Sequence, residues 1–233
     1  MQIPIGGAYE QLGMPGVAAF LFWGLAAIVL HELGHGFAAV WQGDDTPRRE
    51  GRLTLNPLVH MGWLSIVFLC LVGIAWGSMP TDPSRFRWGR KGRVFVALAG
   101  PAVNLALGLL SWAVIAVMLA YHQKNGTEPS EQALWFWLRG GLLNFVLLAF
   151  NLLPLPPLDG AQALAGVSRT FWKWLHDPFA LRVSFIALLV FMFSGLSSIM
   201  FEAVSRLGLM TMSVFYAIAA SALGLPSDSV PSF

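Results

Sequence analysis

Two histidines and a glutamate stand close together near the end of an apolar run, in the sequence HELGH at residues 31 to 35. On a helix His31 and His35 lie one turn apart on the same face, close enough to bind one ion. Glu32 projects about 100° around the helix from His31. Two imidazoles that bind Zn²⁺, beside a carboxylate that accepts a proton from water, are the parts of a zinc hydrolase. The alternative is two core histidines and a helix-end carboxylate, but ionisable groups in an apolar span are costly unless something pairs them.

A zinc site needs a third protein ligand, which the residues after His35 do not supply. The metzincin pattern requires glycine and histidine at the third and sixth following positions, where this chain has Ala38 and Trp41. Asp159 closes another apolar segment, in NLLPLPPLDG at residues 151 to 160. The prolines of that stretch unwind the chain, and irregular backbone at membrane depth lines a cavity. Asp159 is therefore either a ligand or the N-cap of the following helix.

The composition identifies the chain as a membrane protein. Its 233 residues are 56% hydrophobic and 11% charged, and the mean hydropathy is +0.66, which is outside the range of soluble domains. A single cysteine excludes a disulfide framework and a cysteine metal site. The net charge of +2 comes from basic residues beside apolar segments, so it indicates orientation in a membrane and not nucleic-acid binding.

Six apolar stretches, all but the first free of acidic and basic residues, are candidates for crossing a bilayer, since roughly 20 apolar residues span its hydrocarbon core. We call them segments A to F. In order, they are about Pro15–Trp41, Gly62–Ser78, Val94–Tyr121, Gly140–Leu158, Val183–Phe201 and Leu207–Leu225.

The topology must bring the ends of segments A and D to one side of the membrane, because they carry the histidine pair and Asp159. An odd number of crossings must lie between A and D, so segment B, residues 62–78, is expected to be a re-entrant or interfacial hairpin. The positive-inside rule agrees and predicts five crossings, an outside N-terminus and a cytoplasmic C-terminus. With this topology the cytoplasmic side carries Arg48, Arg49, Arg52, Arg85, Arg87, Arg90, Lys91, Arg93, Arg169, Lys173 and Arg182, against Lys124, Arg139 and Arg206 on the other side.

The predicted fold is an all-α polytopic membrane protein of about five transmembrane helices plus the re-entrant segment. The stretch GRLTLNP at residues 51 to 57 is either a short β-strand near the active site or a cytoplasmic turn. We expect one domain over residues 1–233, with no cleaved signal peptide, a catalytic core at about 15–165 and a C-terminal helical pair at about 180–225. The stretch WKWLHDPF at residues 172 to 179 is either an amphipathic surface stretch or an aromatic anchor at the membrane interface.

Four landmarks together resemble the site-2 protease family of intramembrane zinc metalloproteases. They are HELGH at 31 to 35, LNPLVH at 55 to 60, AGPAVN at 99 to 104 and NLLPLPPLDG at 151 to 160. The resemblance covers roughly residues 20 to 165 and is to a compact form without PDZ or CBS domains. It implies one Zn²⁺ per chain held by His31, His35 and Asp159, with Glu32 as general base.

Two asparagines belong to these landmarks. By resemblance, Asn151 would lie near the oxyanion of the tetrahedral intermediate, where a side-chain amide can donate a hydrogen bond. An alternative for Asn151 is that its amide bonds to carbonyls freed by the prolines. We assign Asn104 to helix packing, beside Gly100 and Pro101.

The sequence therefore predicts a protease that cleaves transmembrane segments of other membrane proteins, with a site that opens toward the cytoplasm of a bacterial-type cell membrane. Its expected partners are transmembrane-helix substrates and the lipid bilayer, and its oligomeric state is open. One alternative is a zinc or small-solute transporter that uses the same ligands. Against it, segments E and F have no acidic or basic residue between Arg182 and Glu202 or from 207 to 225, so they offer no polar path. A second alternative, a non-catalytic scaffold, has no use for Glu32 beside two ligands.

Overall fold

The structure is a computed structural model that describes residues 4–225, with side chains from residue 13 onward. Within that range the chain is helical, and the predicted all-α class is confirmed. The outer ends of the predicted domain, residues 1–3 and 226–233, lie outside the described residues. The helices are α1 (Pro4–Trp41), α2 (Thr46–Arg49), α3 (Pro57–Val72), α4 (Arg90–Asn125), α5 (Glu131–Asn151), α6 (Asp159–Val167), α7 (Arg169–Leu175), α8 (Pro178–Phe193) and α9 (Gly195–Ala222), with a 3₁₀ turn at Pro83–Arg85.

Four of these helices are long and apolar enough to cross a membrane, and they correspond to predicted segments A, C, D and F. They are the part of α1 from Gly13 to Trp41, α4, α5 and α9. A fifth span results if α7 and α8, which meet at 85°, count together as one broken span. The described chain is thus a multi-pass membrane protein with four or five spans, against about five predicted.

The predicted boundaries of segment E are wrong. We expected one helix over residues 183–201, but α8 ends at Phe193 and α9 begins at Gly195. Ser194 separates the two helices in an extended conformation, and its hydroxyl oxygen accepts a hydrogen bond from the N–H of Leu196 at 3.3 Å. An N-cap serine can start a new helix inside an apolar run without any change in hydropathy, so the hydropathy pattern does not mark the break.

Helices α1 and α4 run antiparallel through the centre of the molecule. The His35 ring contacts the carbonyl of Val96, whereas His31, one turn earlier on α1, contacts Asn104, two turns later on α4. Residue numbers therefore rise along α1 as they fall along α4.

Helices α4 and α5 are also antiparallel. The space beside Gly108 is filled by the ring of Phe145, and the indole of Trp112, one turn later on α4, lies against Gly141, one turn earlier on α5. Because α4 opposes both neighbours, α1 and α5 run parallel and their C-terminal ends lie on the same side. This is the arrangement that the predicted topology requires of segments A and D.

Segment B forms a hairpin, as its predicted re-entrant or interfacial role requires. Helix α3 kinks at Gly62 and ends at Gly73, where the chain takes a left-handed conformation and turns back. The returning segment, residues 74–82, has no helix and is held against α3. Ser65 bonds both backbone groups of Trp76, at 2.7 and 2.8 Å. Helix α3 is shorter than the helices that qualify as spans.

The β-strand predicted within residues 51–57 is wrong for this structure, since no strand occurs in residues 4–225. The stretch is an irregular turn whose backbone groups bond locally. The N–H of Arg52 donates to Pro47 at 2.8 Å, and the ring of His60 contacts the carbonyl of Thr54 at 2.7 Å. A strand needs a partner strand for these groups, and none lies beside this turn.

Two buried side chains at the end of α1 fasten the loop that leads into α4. The side-chain oxygen of Gln42 accepts a hydrogen bond from the N–H of Trp88 at 3.1 Å, and the backbone carbonyl of Gln42 accepts one from the N–H of Arg87 at 2.7 Å. Asp44, fully buried, accepts from the N–H of Asp82 at 2.6 Å. The end of α1 and the start of α4 are therefore fixed relative to each other.

Candidate metal centre

Two histidines of α1, His31 and His35, meet the side chain of Asp159, which is more than 120 residues away in sequence. The Nε2 atoms of His31 and His35 are 3.0 Å apart. An Asp159 oxygen lies 3.1 Å from the Nε2 of His31, and the other lies 3.3 Å from the Nε2 of His35. Tetrahedral Zn²⁺ with ligands at 2.0–2.1 Å holds them about 3.3 Å apart. The spacing therefore fits one zinc ion, and these residues form a group that could hold a metal.

The hydrogen bonds on the far side of each ring fix the imidazoles for metal binding. Nδ1 of His31 lies 2.6 Å from the side-chain oxygen of Asn104, and Nδ1 of His35 lies 2.7 Å from the carbonyl of Val96. Both partners only accept, so each neutral ring carries its proton on Nδ1 and directs the lone pair of Nε2 toward the other ring. Two lone pairs and a carboxylate that face one another suit a bound cation, and the donor set suits Zn²⁺.

Asn104 is held in turn by a chain of buried amides. Its Nδ2 group donates to the carbonyl of Ala27 at 3.3 Å and to the side-chain oxygen of Asn144 at 2.9 Å. Both of these partners accept, so the amide orientation is determined and the oxygen must face His31. Asn144 donates onward to the carbonyl of Gly140 at 2.9 Å. Both asparagines are fully buried.

These two residues are the part of the site that sequence reasoning missed. We assigned Asn104 to packing and did not single out Asn144. The only sequence signal is the position of each amide inside an apolar span, where a buried polar group needs a partner.

Gly100 leaves the space that the two rings occupy. A Cβ atom built on Gly100 would overlap the Nε2 atoms of His31 and His35. The backbone of α4 therefore passes directly beside the candidate metal position. The absence of a side chain at this glycine makes room for the two imidazoles.

Asp159 reaches the rings from the first turn of α6. Helix α5 ends at Asn151, and the proline-rich stretch, residues 152–157, connects it to α6. Leu158 is the N-cap of α6 and makes no side-chain capping bond. The alternative interpretation, in which Asp159 is the N-cap, is not what the structure shows. The partial positive charge at the start of the helix favours a carboxylate at this position.

Glu32 lies beside the ligand group and faces the same cavity. Its side chain is buried, and the returning segment after α3 lies against it at Gly77. A Cβ atom at Gly77 would lie 2.6 Å from the Oε1 atom of Glu32, so a larger residue would displace the carboxylate or the segment. The structure thus places a carboxylate next to the candidate metal position without making it one of the three convergent ligands.

Asn151 also lines the cavity, but its amide is engaged elsewhere. The Nδ2 group donates to the carbonyl of Leu147, one turn back on α5, at 3.0 Å. This carbonyl belongs to the helix body and is not among those freed by the prolines. The second N–H of the amide remains for a group in the cavity, so the oxyanion role of Asn151 stays a prediction.

The cavity has a volume of about 710 Å³ and extends well beyond the ligands. One wall is the returning segment Ala75–Met79, and the opposite wall includes the end of α5 and the proline-rich stretch. The end of α7 closes a further side with Leu175 and His176. This space is large enough for several residues of an extended peptide beside the three ligands.

The chain is similar to curated proteins whose names describe one activity. The protein named "Putative zinc metalloprotease YwhC" of Bacillus subtilis is 36% identical over 144 residues, which cover 60% of this chain and 64% of that protein. The protein of Mycobacterium tuberculosis named "Putative zinc metalloprotease Rip2" is 32% identical over 167 residues, which cover 68% of this chain and 61% of that protein. A third, "Putative zinc metalloprotease MJ0611" of Methanocaldococcus jannaschii, is 29% identical over 97 residues, which cover 42% of this chain and 41% of that protein.

The chain spans less than two thirds of the length of each of these relatives. No family model and no solved structure matches it. The relatives' names nevertheless describe a metal-dependent protease, and the convergence of His31, His35 and Asp159 supplies a site that suits its metal.

Proposed function

We propose that this chain is an intramembrane zinc metalloprotease of the site-2 protease type, which cleaves peptide bonds within or near transmembrane segments of other membrane proteins. The observation that carries the proposal is the convergence of His31, His35 and Asp159 beside Glu32, in a cavity that lies among apolar helices. Such cleavage is the chemical step of regulated intramembrane proteolysis.

Zn²⁺ held by the two imidazoles and Asp159 would supply a Lewis acid that polarises a peptide carbonyl and lowers the pKa of a water molecule. Glu32 acts as general base: it accepts a proton from the attacking water and donates it to the leaving amine. The chain of Asn104 and Asn144 keeps His31 in one tautomer and orientation. Asn151 donates its remaining N–H to the oxygen that becomes negative as water adds.

The substrate must be extended when it enters, because a helix keeps its carbonyls hydrogen-bonded and away from water. The returning segment Ala75–Met79 is not helical and lies along the cavity wall. The N–H groups of Trp76 and Ser78 donate to Ser65 and His60 of α3. We infer from this alternation that the segment is extended and that the backbone groups of Gly77, between the two, face away from α3. An unwound substrate can pair with that side, a form of β-augmentation.

The orientation follows from the basic residues, which favour the side of the membrane at which α1 and α5 end. We propose that this side is the cytoplasm of a bacterial-type cell and that water reaches the site from there. The lipid bilayer is then the partner that surrounds the whole chain, and the substrates are other membrane proteins. Nucleic acid has no part in the proposal.

The decisive experiment replaces Glu32 with glutamine. Purified Glu32→Gln should retain one zinc per chain, measured by elemental analysis, because the three ligands are unchanged. Membranes of cells that express the wild type should contain shortened single-span proteins, and these should fall by about 10²-fold or more with the variant. The matched variant Asp159→Ala should lose both zinc and cleavage.

Two results would contradict the proposal. Cleavage that persists in Glu32→Gln would remove the general base. A wild-type protein that binds zinc yet produces no shortened membrane protein would favour the transporter alternative.

A further inference from the structure

A second concave space lies beside the metal cavity, where the start of α4 meets α6 and α7. Its volume is about 550 Å³. Four cationic side chains stand in its wall: two come from the first turn of α4 and two from α7. These four, which we call the cationic pocket residues, are Arg90, Arg93, Arg169 and Lys173, and the wall is completed by Pro83, Ser84, Gly89, Ala165 and Trp172.

The charge of this pocket is not balanced within the part of the chain that the structure describes. No aspartate or glutamate lies in the pocket wall. None of the four cations forms an ion pair with a described residue, and Arg93 donates to the neutral side chain of Gln162 at 3.4 Å. Four like charges around one concave space repel one another. An anion in the pocket would offset part of that repulsion.

The positive-inside rule alone does not account for this arrangement. It explains why basic residues lie on one side of the membrane, but not why they surround a cavity unpaired. Two other arginines on the same predicted side have acidic partners: Arg48 lies 3.1 Å from Asp45, and Arg85 lies 2.9 Å from Asp82. Arg49, Arg87 and Lys91 form no ion pair with a described residue either, but they do not line the pocket. What distinguishes the pocket is that four cations surround one concave space.

The neighbouring tryptophans indicate at what level of the membrane the pocket lies. Trp172 in its wall is exposed, and Trp88 lies just before α4, in edge contact with Trp41 at 4.8 Å between ring centroids. Exposed tryptophans concentrate at the level of lipid headgroups. Arginines present planar groups of N–H donors that suit phosphate oxygens, and basic pockets between membrane helices on the cytoplasmic side bind anionic headgroups.

We propose that the cationic pocket binds a phosphate group, presented by the headgroup of an anionic phospholipid. A free phosphate offers the same chemistry, so the test separates the two sources. The proposal does not depend on the protease activity. It does bear on the metal cavity, because Pro83 and Arg93 stand in both walls, and α7 contributes Trp172 to the pocket and Leu175 to the cavity. A bound headgroup would hold α7 against α4 at the cavity wall.

The test compares two triple variants that remove the same charge. The pocket variant is Arg90→Gln, Arg169→Gln and Lys173→Gln, and it keeps Arg93 because that residue also lines the metal cavity. The control variant is Arg49→Gln, Arg87→Gln and Lys91→Gln, three exposed positions on the same predicted side that lie outside the pocket wall. Zinc content and gel filtration check that both variants fold.

Binding is measured on the purified full chain in detergent with three probes: short-chain phosphatidylglycerol, short-chain phosphatidylcholine and inorganic phosphate. The wild type and the control variant should bind phosphatidylglycerol with the same Kd and prefer it to phosphatidylcholine. The pocket variant should bind phosphatidylglycerol about tenfold or more weakly. Inorganic phosphate should bind the wild type much more weakly than phosphatidylglycerol does.

Each contrary result overturns a defined part of the proposal. Equal weakening in both triple variants would assign binding to general surface charge. No preference for phosphatidylglycerol over phosphatidylcholine in the wild type would remove the anion site altogether. Inorganic phosphate that binds as tightly as phosphatidylglycerol, and competes with it, would overturn the lipid source.

Discussion

The two halves of α4 are buried by different means. The first half, up to Asn104, meets polar side chains of α1 and α5 and supports the candidate metal centre. The second half, from Gly108 onward, packs against α5 and α9 through apolar contacts. The buried members of that apolar cluster are Trp112, Ile115, Ala116, Ala120, Phe145, Val204, Met212, Tyr216 and Ala220.

This difference shows how one membrane helix serves two purposes. Apolar packing inside a bilayer gains little from the hydrophobic effect, because lipid is as apolar as the protein, so close contact at small residues matters. In the second half, Gly108 and Gly208 receive the rings of Phe145 and Trp112. In the first half, hydrogen bonds hold groups in fixed orientations. Substitutions in the first half should therefore alter metal affinity, and substitutions in the second half should alter stability.

The largest effect is expected from Gly100→Ala. The added methyl group overlaps both ring nitrogens that would bind the metal, so the rings must move and the ligand geometry is lost. Zinc affinity, measured by competition with a chelator, should fall by more than about 100-fold.

The matched control is Gly108→Ala, whose methyl group overlaps the ring of Phe145 in the apolar half. It should lower the free energy of unfolding by about 1–3 kcal/mol and leave zinc affinity unchanged. If both alanine variants lost zinc equally, the two halves would not be distinct.

A smaller effect is expected from Asn104→Leu, which keeps the approximate volume but removes the acceptor for the Nδ1 proton of His31. Loss of such a supporting partner lowers metal affinity by about 10–100-fold. Asn104→Asp, which keeps an oxygen acceptor, should restore part of the affinity. Chelator competition measures both variants.

Ser111→Ala is the control for that series, because the Ser111 hydroxyl is buried on the same helix but donates only to the carbonyl of Leu107 at 2.8 Å. Its zinc affinity should equal that of the wild type. An unchanged affinity in Asn104→Leu would return Asn104 to the packing role that we assigned from the sequence.

The smallest effect is expected from Asn144→Leu. Asn144 acts on the site through Asn104. Its loss leaves the bond between Asn104 and His31 in place, with the carbonyl of Ala27 as the remaining acceptor for the Asn104 amide. Zinc affinity should fall only severalfold, less than in Asn104→Leu. An effect as large as that of Asn104→Leu would mean that Asn144 contributes to the site directly.

The sequence was most informative where the chemistry is local or the apolar runs are long. The spacing of His31 and His35 defines a shared helix face without any tertiary information. Long apolar runs located α1, α4, α5 and α9. The requirement that the histidines and Asp159 meet, together with the distribution of basic residues, put the ends of α1 and α5 on one side. Asp159 was identified through its unusual backbone, and the structure brings it to the histidines.

The sequence was least informative where a role depends on distant contacts. The bonds from Asn104 to His31 and Asn144 join three helices, and no local pattern distinguishes such an amide from one that packs. The expected strand at residues 51–57 failed because an alternating pattern does not supply a partner strand. The break at Ser194 was missed because apolar residues continue on both sides of it.

The distribution of the three candidate ligands along the chain orders events during biosynthesis. Two of them enter the membrane with the first long helix, and the third is made only after α4 and α5 have followed. A ribosome that stalls before α6 leaves an incomplete donor set, so tight metal capture has to wait for the later helices. With zinc at the proposed site, the zinc content of newly made chains would report whether their central helices have assembled.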